Sequence, residues 1–470
     1  MAEVTMLVAS YVFTALAICC AAVYLCARLR LFLTATTMLL ASLLLIYGPA
    51  YLSFLLSSGE KAMLIARLSG SEGGKSVMYS MIQSASSDFG AIIVAMNISI
   101  ALMFVGVVAG VEIVDRLIPG RAASLKIALA DWNSQALRDS VGGTRVLLVI
   151  AVCLTLFLAW ISFSEGHLGT IGSFLSITGD EAARAAFRLN NGGSPNYFYR
   201  IALGAVAPML VVWGLLSGWV NRSWGLLLVA GLLLVAVLIG KSETLSKAPP
   251  AFFLVQLIVA GLLVFRNKLT WRSALVVLSA IILILYVVVR LTISVYDNFG
   301  ALGFLYYRIF EVPSESALET FGAFPSKYPH TWGANIRPLA AMMGLDYVPA
   351  FTIISQLWHN TKDATSNALF IADAWVDFSY GGVIVFSALA SAACRLIDLI
   401  YLVKGKTAVG IAMMTAAFGG VLTLLVSALN TAFLSGGLLL APLVAGGIVG
   451  IIKIMNRNSR LDAKPAGIGT

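Results

Sequence analysis

The sequence contains very few charged residues. Of its 470 residues only 11% are Asp, Glu, Lys or Arg, whereas 60% are hydrophobic. A soluble protein of this length has about a quarter of its residues charged, because they cover its surface. The composition therefore excludes a water-soluble enzyme, and it also excludes a disordered or collagen-like chain.

Sequence patterns for several kinds of chemistry are also missing. The five cysteines form no CxxC pair and lie in or beside apolar blocks, which argues against a disulfide framework and a metal site. No P-loop, no Ser/His/Asp order and no metal-ligand cluster is visible. The first apolar block lacks the basic n-region and cleavage site of a signal peptide, so we expect it to remain as a helix.

What the sequence does contain is a series of apolar blocks of about 20 residues, the length that crosses a ~30 Å hydrocarbon core as a helix. They are too long for barrel strands of about 10 residues, and they do not alternate. We predict an all-α polytopic transmembrane helix bundle of about 11 spans with a long, partly helical periplasmic loop. The blocks are 5–27, 31–57, 90–114, 145–165, 199–220, 224–240, 248–266, 272–294, 366–393, 407–430 and 432–454.

The distribution of Lys and Arg predicts the orientation. With the N-terminus outside, more than half of the 31 basic residues fall on the inner side, mostly in short loops. This placement explains the net charge of +9 better than nucleic-acid binding does. We therefore predict an N-out, C-in chain with four parts: N-terminal membrane helices 1–294, a large periplasmic loop 295–365, C-terminal membrane helices 366–454 and a basic cytoplasmic tail 455–470.

A basic amphipathic stretch on the inner side, residues 121–138, predicts a helix. Leu125, Leu129, Trp132 and Ala136 would share one face of that helix. The pattern favours an interfacial helix on anionic lipid over a regulatory element. Whether a chain-length regulator binds there is left open.

Candidate chemistry is concentrated on the predicted outer side. Residues 296–378 include His330, His359 and many aromatic residues, which predicts a folded and functional segment, although an aromatic belt would have the same composition. Asp373 and Asp377 are four apart and share a helix face, where they could act as acid and base or simply solvate a helix start.

Several outer cations could bind an anion. Partial burial of Arg308 would require an anionic partner, either Glu311, Glu315 or a ligand phosphate, while Arg290 could simply snorkel to the interface. The turn that contains Lys241 and Lys247 precedes a helix that starts with two prolines, so it is either an anion site or an interfacial anchor. His167 follows Glu165 at a predicted helix end, and we expect a loop histidine without chemistry.

These cations, aromatic rings and candidate bases fit an enzyme that takes its activated substrate from the lipid. A polyprenyl-pyrophosphate-linked sugar meets that demand, since Arg and Lys would hold the pyrophosphate while a carboxylate or His accepts the proton of a hydroxyl.

Three segments in order resemble bacterial O-antigen and exopolysaccharide repeat-unit polymerases of the Wzy type. They are KSETLSKAPPAFF at 241–253, RIFEVPSESALETFGAFPSKYP at 308–329 and TSNALFIADAWVDFSYGGVIVFS at 365–387. The similarity covers about a third of the chain.

The resemblance implies a glycosyltransferase of the bacterial inner membrane with a periplasmic active face. It would transfer a growing glycan from undecaprenyl pyrophosphate to a lipid-linked repeat unit, without a cofactor, nucleotide sugar or metal and without nucleic acid as a partner. The resemblance places Arg308 on the pyrophosphate, assisted by Lys241, Lys247, Arg290 and Arg337. The candidate bases are Glu311, Glu315, His330, Asp373 and Asp377.

Two other functions stay open. An O-antigen ligase-like transferase would use a similar outer loop with Arg and His, and composition cannot separate it from a polymerase. A flippase or transporter for the same lipid would need a charged central cavity and internal repeats. The polar residues instead lie in one outer segment, which favours an enzyme.

Overall fold

The computed structural model describes residues 2–57, 76–139, 141–177, 196–243, 248–268, 298–361 and 369–462, with short pieces at 183, 186–187, 190–191, 245, 270, 275, 279, 282–283 and 285–287. In this part of the chain the regular elements are helices, with only two isolated β-bridges and no strand. The first helices are α1 (Ala2–Ala27), α2 (Ala35–Tyr47), α3 (Pro49–Leu56), α4 (Val77–Ala85), α5 (Phe89–Leu117), α6 (Pro119–Ala130), α7 (Thr144–Ser164), α8 (His167–Ser176), α9 (Tyr197–Ile201), α10 (Ala207–Val220) and α11 (Trp224–Ser242).

The later helices include the pieces of the predicted outer loop. They are α12 (Ala248–Phe265), α13 (Asn298–Tyr306), α14 (Val312–Ala323), α15 (Arg337–Met343), α16 (Ala350–His359), α17 (Phe370–Tyr401), α18 (Ala408–Leu424), α19 (Leu429–Phe433) and α20 (Leu440–Asp462). Single π-helical turns, Ala202–Val206 and Tyr307–Glu311, precede α10 and α14.

Eight described helices are long and apolar enough to cross a membrane, which confirms an all-α multi-pass membrane protein. They are Val4–Ala27, Ala35–Leu56, Phe89–Leu117, Thr144–Ser164, Tyr197–Val220, Trp224–Ser242, Phe370–Tyr401 and Leu440–Arg457. Two shorter apolar helices, Pro249–Phe265 and Ala408–Leu424, match two further predicted blocks. Most of the predicted block 272–294 lies outside the described residues, so the total of eleven spans stays a prediction.

The contacts group the chain into two compact units. The first contains residues 1–120, 268–396 and 421–432, and the second contains 121–267, 397–420 and 433–470. This division follows contacts, whereas the four parts predicted from the sequence follow the expected side of the membrane.

Within the first unit, α5 packs closely on α17 through two glycines. A Cβ at Gly106 would lie 2.7 Å from the carbonyl oxygen of Ile384, and one at Gly110 would lie 2.3 Å from that of Ala388. Small residues four apart allow this backbone approach, which is how helices commonly associate in membranes. The packing fixes α17, the helix that positions the candidate site.

The ends of α1, α5 and α17 meet in a charged cluster of the first unit. Arg395 holds buried Asp115 with two hydrogen bonds of 2.7 and 2.9 Å, and Arg28 contacts Glu112 at 3.0 Å and Asp115 at 3.3 Å. Buried charges need such pairing. The three helix ends therefore share one side of the unit, and the identity of that side as cytosolic stays a prediction.

Helix α14, from the predicted outer loop, lies inside the first unit rather than on its surface. Every residue from Pro313 to Ala323 is buried. The phenol of Tyr47 donates to the carbonyl of Pro313 at 3.4 Å, and the indole of Trp358 donates to the carbonyl of Glu319 at 2.9 Å. The segment is thus folded against the membrane helices of its unit.

In the second unit, the inner segment 121–138 differs from the continuous amphipathic helix predicted for it. Helix α6 ends at Ala130, and Ala136 is exposed. Leu125, Leu129 and Trp132 are buried against protein, and the Trp132 indole donates to the carbonyl of Leu263 at 2.8 Å. The prediction of an apolar face on lipid is wrong because this face covers neighbouring helices.

Candidate functional site

The candidate site of the first unit forms where α17 is broken. Phe378 and Ser379 leave helical geometry, and Ser379 has the positive φ of +55° that non-glycine residues rarely adopt. The break leaves backbone carbonyl groups without partners inside the helix, and amides of a neighbouring segment donate hydrogen bonds to them. The amides of Thr331 and Trp332 donate to the carbonyls of Val376 and Asp377, each at 3.0 Å. Residues 330–335, here called the docked segment, are thereby fixed on the broken helix.

Asp377 anchors the docked segment from the helix side. Its Oδ1 accepts from the Thr331 hydroxyl at 2.5 Å, the Gly333 amide at 2.9 Å and the Asn335 amide at 3.2 Å. The residue is fully buried, and its Oδ2 has no hydrogen-bond partner among the described residues. Gly333 has a φ of +96°, which suits glycine. Asp377 therefore holds the backbone of this segment, and it offers no exposed oxygen to a substrate.

Asp373, one turn earlier, faces the same segment. Its Oδ1 accepts from the Asn335 side-chain amide at 2.8 Å, and the Asn335 oxygen accepts from the Ala350 amide at 3.0 Å. Asp373 is half-buried, unlike Asp377. The predicted shared helix face of the two aspartates is confirmed, because Asn335 contacts both.

His330 is held by the same helix end in a defined tautomer. Its Nδ1 lies 3.2 Å from the carbonyl oxygen of Val376. A carbonyl only accepts, so Nδ1 is the donor, and in the neutral imidazole Nε2 then keeps a lone pair. The Nε2 atom has no hydrogen-bond partner within the described part of the chain. His330 is half-buried, so this nitrogen is available as a base.

Aromatic rings surround His330. The ring centroids of Trp375 and Trp332 lie 5.3 and 6.3 Å from the imidazole, and Trp375 itself stacks on Phe321 at 4.6 Å. The Trp375 indole is fixed because it donates to the carbonyl of Phe324 at 2.9 Å. Trp332 is 62% exposed and presents a large apolar ring at the surface.

The predicted cations lie in different places. Arg337 follows the docked segment, is exposed and sits 4.8 Å above the ring of Tyr347. Arg308 is exposed and sits 5.4 Å above the ring of Phe304. Along the chain it is separated from the segment of His330 by the 12-residue helix α14, which is about 18 Å long. Lys241 belongs to the second unit. Arg290 and Lys247 lie outside the described residues.

The two predicted glutamate bases are buried on α14 and the turn before it. Glu315 is 7% exposed, accepts from the Tyr307 phenol at 2.9 Å and also bonds to Ser76; Glu311 is 6% exposed. Burial and the Glu315 carboxylate raise the pKa of Tyr307.

Sequence reasoning missed Glu319, which contacts His359 Nε2 at 3.2 Å. The repeat of Glu at every fourth position, 311, 315 and 319, was the available signal for one buried helix face.

A second titratable cluster lies in the second unit, around His167. Its Nε2 is 3.0 Å from Glu165 and its Nδ1 is 3.1 Å from Glu243. His167 and Glu243 are only 7% and 3% exposed, and the Tyr199 ring packs 5.7 Å away. This pairing could not be predicted from the sequence, because Glu243 is distant in the chain. The Nδ1 contact with Glu243 lacks hydrogen-bond geometry. Because a carboxylate lies beside each imidazole nitrogen, we interpret His167 as a structural link between Glu165 and Glu243.

The accessible groups around the docked segment are thus an imidazole nitrogen, a half-buried carboxylate, aromatic rings and a cation. Among the residues that the structure describes, no group of three or more His, Cys, Asp and Glu side chains could hold a metal ion. Compared with protein-family models, with curated proteins and with solved structures, the chain finds no match.

Proposed function

We propose that the protein is a membrane glycosyltransferase that polymerises lipid-linked oligosaccharide repeat units. It would transfer a growing glycan from undecaprenyl pyrophosphate to the terminal sugar of a fresh lipid-linked unit, on the periplasmic face of a bacterial inner membrane. The observation that supports this most strongly is His330, fixed through Nδ1 on the broken helix with an unpaired Nε2 beside an exposed tryptophan.

His330 is the base in this proposal. The acceptor hydroxyl attacks the anomeric carbon of the donor, its proton moves to Nε2, and the bond between that carbon and the pyrophosphate oxygen breaks. The diphosphate leaves on its lipid with the bonding electron pair. A positioned general base contributes about 10²–10⁴-fold to such a step. Of the five candidate bases, Glu311, Glu315 and Asp377 are buried, which supports His330 over them.

Asp373 would orient the acceptor. Its carboxylate is half-buried and positioned by the Asn335 amide, so it can accept a hydrogen bond from a second sugar hydroxyl. Trp332 supplies the flat apolar surface on which the face of a sugar ring can rest.

Arg337 is the first choice for the leaving pyrophosphate, because it directly follows the docked segment and is exposed. A guanidinium binds phosphate oxygens in a bidentate manner that suits a diphosphate. Arg308 keeps its proposed role in pyrophosphate binding only if the diphosphate reaches the other end of α14. Comparing R337Q with R308Q for release of undecaprenyl pyrophosphate separates the two assignments.

The decisive experiment incubates the purified protein with a lipid-linked repeat unit and resolves the products by length. The proposal predicts a ladder of longer glycans together with free undecaprenyl pyrophosphate. Transfer of finished polymer to a lipid A core acceptor, without a ladder, would instead identify a ligase. Movement of the lipid across vesicles without any new glycosidic bond would identify a flippase and contradict the proposal.

A further inference from the structure

The second unit contains a connection between two loops that bear basic residues. The Arg138 amide donates to the carbonyl of Lys406 at 3.2 Å, and the Ala408 amide donates to the carbonyl of Arg138 at 3.1 Å. The Arg138 guanidinium donates to the carbonyl of Lys404 at 2.7 Å. Arg138, Lys404 and Lys406 are therefore held next to one another by backbone contacts.

Gly405 and Gln135 make this turn rigid. Gly405 has a φ of +80°, and a Cβ there would lie 2.0 Å from the side-chain oxygen of Gln135. The same oxygen accepts from the Lys406 amide at 3.0 Å. The backbone geometry at this position thus requires glycine. It fixes the backbone positions from which the Lys404 and Lys406 side chains extend.

Lys406 is the unusual member of the group. It is only 6% exposed, and its ammonium has neither a hydrogen-bond nor an ion-pair partner among the described residues. Partial desolvation lowers the pKa of this lysine, and an anion bound at its ammonium would offset that loss of hydration. Lys404 and Arg138 are exposed beside it.

The nearby carboxylate is already occupied. Asp139 accepts from the amides of Val141 and Gly142 at 3.1 and 3.4 Å through one oxygen, and from the Asn221 side chain at 2.7 Å through the other. The Asp139 carboxylate is therefore engaged within its own loop and by Asn221.

We propose that Arg138, Lys404 and Lys406 bind a phosphate-bearing anion. The ligand chemistry is a phosphate mono- or diester, supplied either by an anionic lipid headgroup or by a soluble phosphate. A charge-assisted hydrogen bond to the Lys406 ammonium gives such a ligand its affinity. The site is separate from the proposed glycosyltransferase chemistry and does not depend on it.

The test uses the purified full chain in neutral detergent. Retention of phosphatidylglycerol and of phosphatidylcholine with the same acyl chains is measured by native mass spectrometry. Inorganic phosphate and diphosphate are compared with chloride at equal ionic strength by thermal shift. The variants are K406M and, as the matched control, K126M, which removes an exposed lysine of α6 in the same unit.

We expect K406M to weaken phosphatidylglycerol binding about tenfold, and K126M to weaken it less than about twofold. If only soluble phosphate changes the melting temperature, and Lys406 is needed for that change, the ligand is a soluble phosphate. If only phosphatidylglycerol is retained, the ligand is the lipid. Equal weakening by both variants would mean general attraction to a basic surface and would overturn the proposal, as would equal retention of the two lipids without a phosphate effect.

Folding of the variant is checked separately. We expect the ligand-free melting temperature of K406M to equal or exceed that of the native chain, because the substitution removes a partly desolvated charge that has no ion-pair partner among the described residues. If K406M does not fold, K404Q serves instead, since Lys404 is exposed. It should weaken the binding of the same ligand about threefold, and an unchanged affinity would contradict the proposal.

Discussion

His330 in the first unit and His167 in the second show how one residue type takes two roles. His330 donates through Nδ1 to a backbone carbonyl and leaves Nε2 unpaired in a half-buried setting. His167 has a carboxylate at each nitrogen and is 7% exposed. The partners of the two ring nitrogens therefore decide whether a histidine can act as a base or serves as a structural link.

The largest expected effect separates the two histidines by activity. H330N keeps a donor where Nδ1 stands but lacks Nε2, so we expect polymerisation to fall by at least about 10²-fold with the fold intact. Glycan length in cells and initial rates with purified protein measure it. The matched H167N should polymerise normally per folded molecule. An equal loss of activity in both variants would contradict the assignment of His330, and not His167, as the base.

The next effect separates them by stability. H167N removes the imidazole that lies between Glu165 and buried Glu243 and leaves polar groups unsatisfied, so we expect the free energy of unfolding to fall by up to about 3 kcal/mol. H330N, whose lost nitrogen has no protein partner, should lie close to the native chain. Denaturant titration in detergent measures both. An unchanged stability of H167N would show that the link is not structural.

A smaller effect divides the two aspartates of the first unit in the same way. D377N weakens three hydrogen bonds to a charged oxygen and buries an amide group, so we expect a loss of about 2 kcal/mol in stability. D373N should leave stability nearly unchanged and reduce the polymerisation rate. Melting temperature and rate, measured on both variants, test this; the reverse pattern would exchange the roles of the two residues.

The smallest effect concerns the surface beside His330. W332A removes an exposed ring, so we expect KM for the lipid-linked unit to rise about fivefold with little change in kcat. The matched variant W224A, which removes an 82% exposed tryptophan of α11, should leave KM unchanged. A drop in kcat alone for W332A would place the ring nearer to the chemistry than proposed.

The helices could be predicted from the sequence because long apolar runs are a local signal. The block 366–393, for example, corresponds to α17, and the spacing of Asp373 and Asp377 correctly predicted a shared face. The extension of α17 from 393 to Tyr401 could not be predicted, because Arg395 interrupts the apolar pattern. Its charge is paired with Asp115, which lies in another helix.

The candidate site could be predicted only in part. The break at Phe378 and Ser379 depends on amides from Thr331 and Trp332, about 45 residues earlier in the chain. Likewise, the Glu243 partner of His167 is far away in sequence. Contacts of this range leave no periodic pattern, so the residue types could be predicted but their pairing could not.

The role of His330 as the base is tested by chemical modification of the three histidines with diethyl pyrocarbonate, in which the modified peptides are identified by mass and compared with the remaining activity. If His330 is the base, polymerisation is lost in step with modification of His330, and bound lipid-linked repeat unit slows both. Loss of activity while His330 is still unmodified, or full activity after its complete modification, would contradict the account.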